Sequence, residues 1–189
     1  MAKPEPSRQQ LDRAAWIKAA LDILAEQGLD GIRVEVLAKR LKVTKGSFYW
    51  HFKDRRDLLD AVLETWKDGR IRDIQKQTRA LPGEELPRAY HVIEVYSANR
   101  NRKGMLIEIA MRDWARRDAA AAAVVEEVDA ARLEFGRRGF EARGMTPLEA
   151  SSRSLLLYAY VFGLSLMSCG KFDADMEEMK RWIADRIAR

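Results

Sequence analysis

One cysteine and two histidines are all that 189 residues offer to thiol or metal chemistry. The lone Cys169 excludes an internal disulfide framework and suits a reducing compartment. His51, His91 and Cys169 lie far apart in sequence and make no ligand set, so neither a metal nor another cofactor is expected. Also missing are a G-x-S-x-G elbow and a phosphate-binding glycine loop. Gly136 and Gly139 stand isolated in a helical pattern, and the carboxylates are scattered at the spacings of solvated helix faces. With no catalytic constellation, an enzyme is not expected. No apolar run reaches the roughly 20 residues needed to cross a bilayer. The longest, Leu155 to Met167, holds 13 residues and is interrupted by Gly163 and Ser165. The polar start MAKPEPSRQQ has no apolar h-region, so no signal peptide is expected. These absences leave a cytoplasmic protein with no membrane partner.

What is present begins with an uneven charge. Residues 1–56 carry 12 Lys+Arg against 7 Asp+Glu, while residues 57–189 carry 22 against 22. The whole net charge of +5 therefore sits in the N-terminal third. A basic face that neutralises phosphates and releases counterions gives sequence-independent affinity for nucleic acid. The bland alternative is a solvated charged surface.

Periodicity and punctuation predict an all-α chain of about nine helices with no convincing strand. Ser7 with Gln10 forms a capping box for the first helix, whose buried face is Ile17, Ala20, Leu21 and Leu24 and which Gly28 ends. Asp54 with Asp57 caps a helix carrying Leu58, Leu59, Val62 and Trp66 to about Ala80, before Pro82-Gly83 breaks the chain. A helix with Pro87 near its first turn runs to about Ala98, and shorter and longer helices follow over about 104–115 and 118–142. Thr146-Pro147-Leu148-Glu149 combines an N-cap, a proline at the first helical position and a glutamate at the third. The helix it starts contains the apolar run and is apolar almost all round, so it needs cover on two sides. Periodicity alone does not say whether that cover comes from the same subunit or a second one. The last helix, about 174–188, shows Met176, Met179, Ile183 and Ile187 as one stripe.

The segment 33–52 carries the most information. Val34, Leu37, Ala38 and Leu41 fall at i, i+3, i+4 and i+7, the apolar face of a short helix. Lys42 and Val43 form a turn. Thr44 is an N-cap whose hydroxyl can accept from the Ser47 amide, so a second helix starts there and runs to about His51. Phe48 and Phe52 give it a buried side, opposite Gly46, Tyr49, Trp50 and Lys53. A short helix that hides two rings and displays glycine, hydroxyls, aromatics and cations suits a DNA major groove.

The joint spacing of Leu37-Ala38, Val43-Thr44, Gly46, Phe48-Tyr49, His51-Phe52 and Leu58-Leu59 resembles the DNA-binding region of the TetR family of bacterial transcriptional regulators. The motif similarity covers roughly residues 10 to 70. The resemblance implies a helix-turn-helix domain over 8–56, and a helical ligand-binding and dimerising domain over 57–189. It implies a homodimer on double-stranded DNA with a palindromic operator, acting as a repressor released by a small-molecule effector. An activator or ligand-independent regulator shares the same fold, and a non-specific architectural DNA binder shares the basic patch. By resemblance, Lys45 and Ser47 read base edges and Gly46 lets the backbone approach a base. Thr44, Tyr49, Trp50, His51, Lys53 and Arg55 hold phosphates. Two positions depart from the family pattern. Arg33 stands where many members cap the second helix with Thr or Ser, and gains a phosphate contact instead. Glu35 stands where some members have a base-reading arginine; it is either a plain exposed helix residue or an acceptor for cytosine N4. The last two helices of two subunits are implied to pack as a four-helix bundle, through Leu155, Leu156, Phe162, Leu166, Met176, Met179, Ile183 and Ile187. In the body, Tyr90, Tyr96, Met105, Trp114, Tyr158 and Phe162 are candidates for an apolar ligand pocket. At helical spacing such residues are more often core.

Overall fold

Asp12 starts the first described helix: its carboxylate accepts the Ala15 amide at 2.8 Å and launches α1 (Arg13–Gln27). In this computed structural model residues 12–78, 102–172 and 175–188 are described, so the Ser7 and Gln10 start lies outside them. The buried stripe of α1 is Trp16, Ala19, Ala20, Ile23 and Leu24, while Ile17 and Leu21 are only half-buried. The expected register was thus wrong by about one residue. Apolar side chains run almost without interruption from Ala14 to Leu24, so two faces compete. The face carrying the indole wins because it removes the most apolar area from water. Gly28 ends the helix as expected, at φ 72°, with its amide on the Leu24 carbonyl.

A 3-10 turn (Leu29–Gly31) leads into α2 (Val34–Leu41), which buries Leu37 and Ala38. Lys42 takes the left-handed conformation at φ 57°, and the amides of Lys42 and Val43 return to carbonyls at the end of α2, making the predicted turn. Then α3 (Lys45–Phe48) forms a single turn, shorter than the expected helix to His51. Beyond it the chain tightens, with the Tyr49 amide on Gly46 and the His51 and Phe52 amides both on Phe48. It has to leave the helix there because Asp54 must cap the next one. Asp54 accepts the Asp57 amide at 3.0 Å, the cap expected from the sequence, and Asp57 reaches back to accept the Lys53 amide at 2.9 Å, one residue before the N-cap. The Thr44 hydroxyl, by contrast, makes no capping bond; the Ser47 amide goes to the Thr44 carbonyl. Helix α4 (Arg55–Thr78) buries Leu58, Leu59, Val62, Leu63 and Trp66.

The chain forms two compact units, Met1–Thr65 and Trp66–Arg189. The second contains the end of α4 and then α5 (Arg102–Ala115), α6 (Ala119–Glu141), α7 (Pro147–Leu166) and α8 (Met176–Ala188). The described residues thus hold eight α-helices and no strand, and the helix expected between Pro87 and Ala98 falls outside them. Caps again fix the starts: Asp118 accepts from Ala121, Thr146 from Glu149, and Asp175 from Glu177 and Glu178. Helices α6 and α7 approach closely where Gly136 meets Ser154; a Cβ at Gly136 would lie 2.3 Å from the Ser154 hydroxyl. One core cluster joins Phe140, Ala150, Leu157, Val161, Ala184 and Ile187. Among the described residues no helix is long and apolar enough to cross a membrane.

Candidate nucleic-acid interface

Two stacked rings anchor the short helix. Phe48 and Phe52 are buried, their centroids 5.3 Å apart at 24°, and Trp16 meets Phe48 edge-on at 5.5 Å. The Arg13 guanidinium closes the stack from outside, 4.6 Å from the Phe52 ring. With that side fixed, the rest of the segment faces solvent: Tyr49 is 63% and Trp50 86% exposed. An indole left this bare has its ring and N–H open to an external partner.

Gly46 points the same way. A Cβ there would meet only the Thr44 hydroxyl, at an ordinary 3.8 Å. Internal packing therefore does not require glycine, although glycine weakens a helix by about 1 kcal/mol relative to alanine. Lys45, Thr44, Lys53 and Arg33 are exposed, while Ser47 and His51 are half-buried. Arg33 precedes α2 in an extended conformation and makes no side-chain cap, as expected from its lack of a short hydroxyl.

Two members of the expected set are engaged within the protein. The Lys45 ammonium sits 2.6 Å from a Glu35 carboxylate oxygen, and this hydrogen bond holds the Glu35 carboxyl below its usual range. Arg55 donates through Nε to the Ile32 carbonyl at 2.7 Å and through Nη2 to Leu29 at 3.1 Å. Its first task is therefore to tie α4 to the turn before α2. Neither contact is visible as a motif: one spans ten residues and the other more than twenty.

A family model described as "Bacterial regulatory proteins, tetR family" matches residues 17–62, the span that contains this surface. Over these residues the chain is similar to the TetR family of bacterial regulators. The tetracycline repressor protein class G of Vibrio anguillarum is 41% identical over 75 residues, covering 40% of this chain and 33% of that protein. The transcriptional regulator AcrR of Shigella flexneri is 30% identical over 114 residues, covering 58% of this chain and 52% of that protein. The matched regions thus span a third to a half of these curated relatives. A solved structure of the multidrug-binding protein EbrR with malachite green superposes with TM-score 0.68 at 21% identity, covering 97% of this chain and 99% of that one. At that identity the likeness is one of fold.

The second unit contains a cleft of about 430 Å³ between α5 and α7, lined by Met105, Glu108, Ile109, Arg112, Asp113, Arg116, Phe162 and Leu166. Of the six expected pocket residues it brings together Met105 and Phe162. Trp114 and Tyr158 are buried and do not line it, and Tyr90 and Tyr96 lie outside the described residues. Glu108 and Arg112 of the cleft wall belong to a charged network that helical spacing had suggested was solvated surface. Arg132 and Glu108, both almost fully buried, pair at 2.8 Å, and Arg112 bridges Glu108 and Asp129. Burial works against charge on Asp129, but Arg112 and Arg132 outweigh it and hold the carboxyl below its usual range. Phe162 packs its ring beside both guanidiniums, at 4.4 Å from Arg112 and 5.3 Å from Arg132.

The expected interface residues divide. Leu155, Leu156 and Leu166 are exposed on the outer face of α7. Met176, Met179 and Ile183 are half-buried, and Ile187 is buried in the core that α8 makes with α7. Phe162 belongs to the cleft, which Leu166 also lines.

Proposed function

We propose that this protein is a DNA-binding transcriptional regulator. It acts as a homodimer on a palindromic operator, represses there, and is released by a small molecule taken into the second unit. The observation that carries this reading is the anchored turn at 45–50, which hides Phe48 and presents Lys45, Gly46, Tyr49 and Trp50 together. Lysine donates to guanine O6 and N7, while phenol, indole and ammonium groups donate to phosphates. The assignment of Arg33, Thr44, Ser47, His51, Lys53 and Arg55 to the same surface rests on the resemblance, with Arg55 acting mainly through the loop it ties.

Dimerisation draws its support from α7. Leu148, Leu155, Ala159 and Leu166 fall within one narrow stripe of that helix and all are exposed, opposite the stripe Ala150, Ser154, Leu157 and Val161 that the core covers. A second copy supplies an equally apolar face, and a two-fold axis then sets two recognition segments about 34 Å apart, one helical turn of DNA. A cytoplasmic location follows from this work on DNA. The cleft behind Met105 and Phe162 is the site proposed for the effector. EbrR, with its bound dye, is a precedent of the same fold.

Footprinting on the DNA flanking the gene, with and without small molecules, tests the whole reading. A protected, dyad-symmetric block that disappears on adding an effector is the expected result. Uniform, salt-sensitive retention of any duplex without a footprint would replace it with non-specific architectural binding.

A further inference from the structure

The ion pair between Glu35 and Lys45 is placed where a surface pair is least expected. Glu35 sits in the first turn of α2 and Lys45 opens α3; each side chain is 59% exposed, and their charged atoms are 2.6 Å apart. An exposed pair of this kind contributes little to stability. A carboxylate beside a surface that meets phosphates is also unfavourable unless it finds a donor there. In the major groove only adenine N6 and cytosine N4 donate.

We propose that Glu35 and Lys45 act as one reading unit that selects a single G·C base pair in each half-site, with Lys45 on guanine O6 and N7 and Glu35 on cytosine N4. The inference rests on the reading of this face as the DNA interface. Guanine O6 and cytosine N4 are joined by their own hydrogen bond, so on the groove floor an acceptor and a donor lie side by side about 2.9 Å apart. The ammonium and carboxylate present the complementary donor and acceptor at 2.6 Å, and the ammonium keeps two further N–H bonds while it holds Glu35. An A·T pair also offers a donor next to an acceptor, but with the wrong flanks. Adenine N7 would stand as a second acceptor against the carboxylate, and the thymine methyl would crowd the ammonium. Only G·C places the second acceptor, guanine N7, on the lysine side. The hydrogen bond from Lys45 holds the Glu35 carboxyl below its usual range, in line with its role as an acceptor.

Binding-site selection from random duplexes, followed by titration of the winning sequences, tests the pair. The proteins compared are wild type, Glu35→Ala, Lys45→Ala and the double variant, all full-length. Both side chains are exposed and hydrogen-bond to each other, so truncation leaves the core intact. The expected wild-type motif contains one G·C pair per half-site, preferred over A·T by about fivefold to 150-fold. Each single variant loses that preference and keeps the rest of the motif. The double variant is no less selective there than either single one. If Glu35→Ala returns the wild-type motif, or tightens every duplex by the same factor, Glu35 is only a counter-charge and the proposal fails. A wild-type protein that enriches no sequence at all removes the DNA interface itself, a result distinct from either of these.

Discussion

Replacing Gly46 with alanine should move stability and DNA binding in opposite directions. The added methyl has room in the free protein, since its nearest neighbour would be the Thr44 hydroxyl at 3.8 Å. The helix gains up to about 1 kcal/mol from the better propensity of alanine. For a domain of this size that corresponds to a melting temperature unchanged or raised by a few degrees. On DNA the same methyl stands on the exposed side of α3, where the backbone is proposed to lie against a base. Forcing a methyl group into such a contact costs about 1–3 kcal/mol, or roughly fivefold to 150-fold in affinity. Thermal denaturation followed by circular dichroism and a fluorescence anisotropy titration on the operator measure the two effects separately. A Gly46→Ala protein that binds the operator as tightly as wild type would refute the close approach. One that unfolds more easily by a kcal/mol or more would refute the packing argument.

The other expectations concern charge and assembly. Lys53→Ala should weaken binding to operator and random DNA about equally and lower the salt slope by roughly one; an unchanged slope removes Lys53 from the phosphate contacts. Arg55→Ala should chiefly reduce stability, by about 1–3 kcal/mol in urea denaturation, because it frees the Leu29 and Ile32 carbonyls; a pure loss of salt slope at unchanged stability would give Arg55 to phosphate instead. Leu155→Glu changes an exposed residue and should leave the folded subunit intact while shifting sedimentation to the monomer and abolishing the symmetric footprint. A dimeric, normally footprinting Leu155→Glu protein ends the α7 interface. Asp129 has a folded-state pKa below its unfolded value, so the stability it contributes is present above about pH 4 and is lost as the pH falls through the depressed value. The stability gap between wild type and Asp129→Asn should accordingly be present at pH 7 and narrow toward pH 3.

Local signals in the sequence survived best. Gly28, the cap by Asp54 and Asp57, the turn at Lys42 and the Thr146-Pro147 start all appear where they were expected, because each is decided within four residues. The paired rings of Phe48 and Phe52, at helical spacing, were legible for the same reason. The register of α1 was not, since a nearly continuous apolar helix carries no phase until its partners choose one. The network of Glu108, Arg112, Asp129 and Arg132 was misread as solvated surface. Within each helix its spacings are those of an ordinary surface pair; burial arises only when α5, α6 and Phe162 of α7 close over it. The pairing of Glu35 with Lys45 was hidden likewise, because two helices meet across a turn whose geometry, not its residue types, brings the charges together.

The first turn of α4 has a practical bearing on transplanting the proposed DNA-reading head into another protein. Asp57 holds both the Lys53 amide and the Arg13 guanidinium, and Arg55 grips the loop before α2, so this turn locks the reading head from behind. A chimera joined at residue 56 would carry Arg55 with the head but leave Asp57 to the recipient, cutting the clasp in half. A junction beyond Thr65 transfers the lock complete, along with Leu58, Leu59, Val62 and Leu63, which fill the space beneath it. The portable piece is therefore longer than the helix-turn-helix proposed to read the DNA.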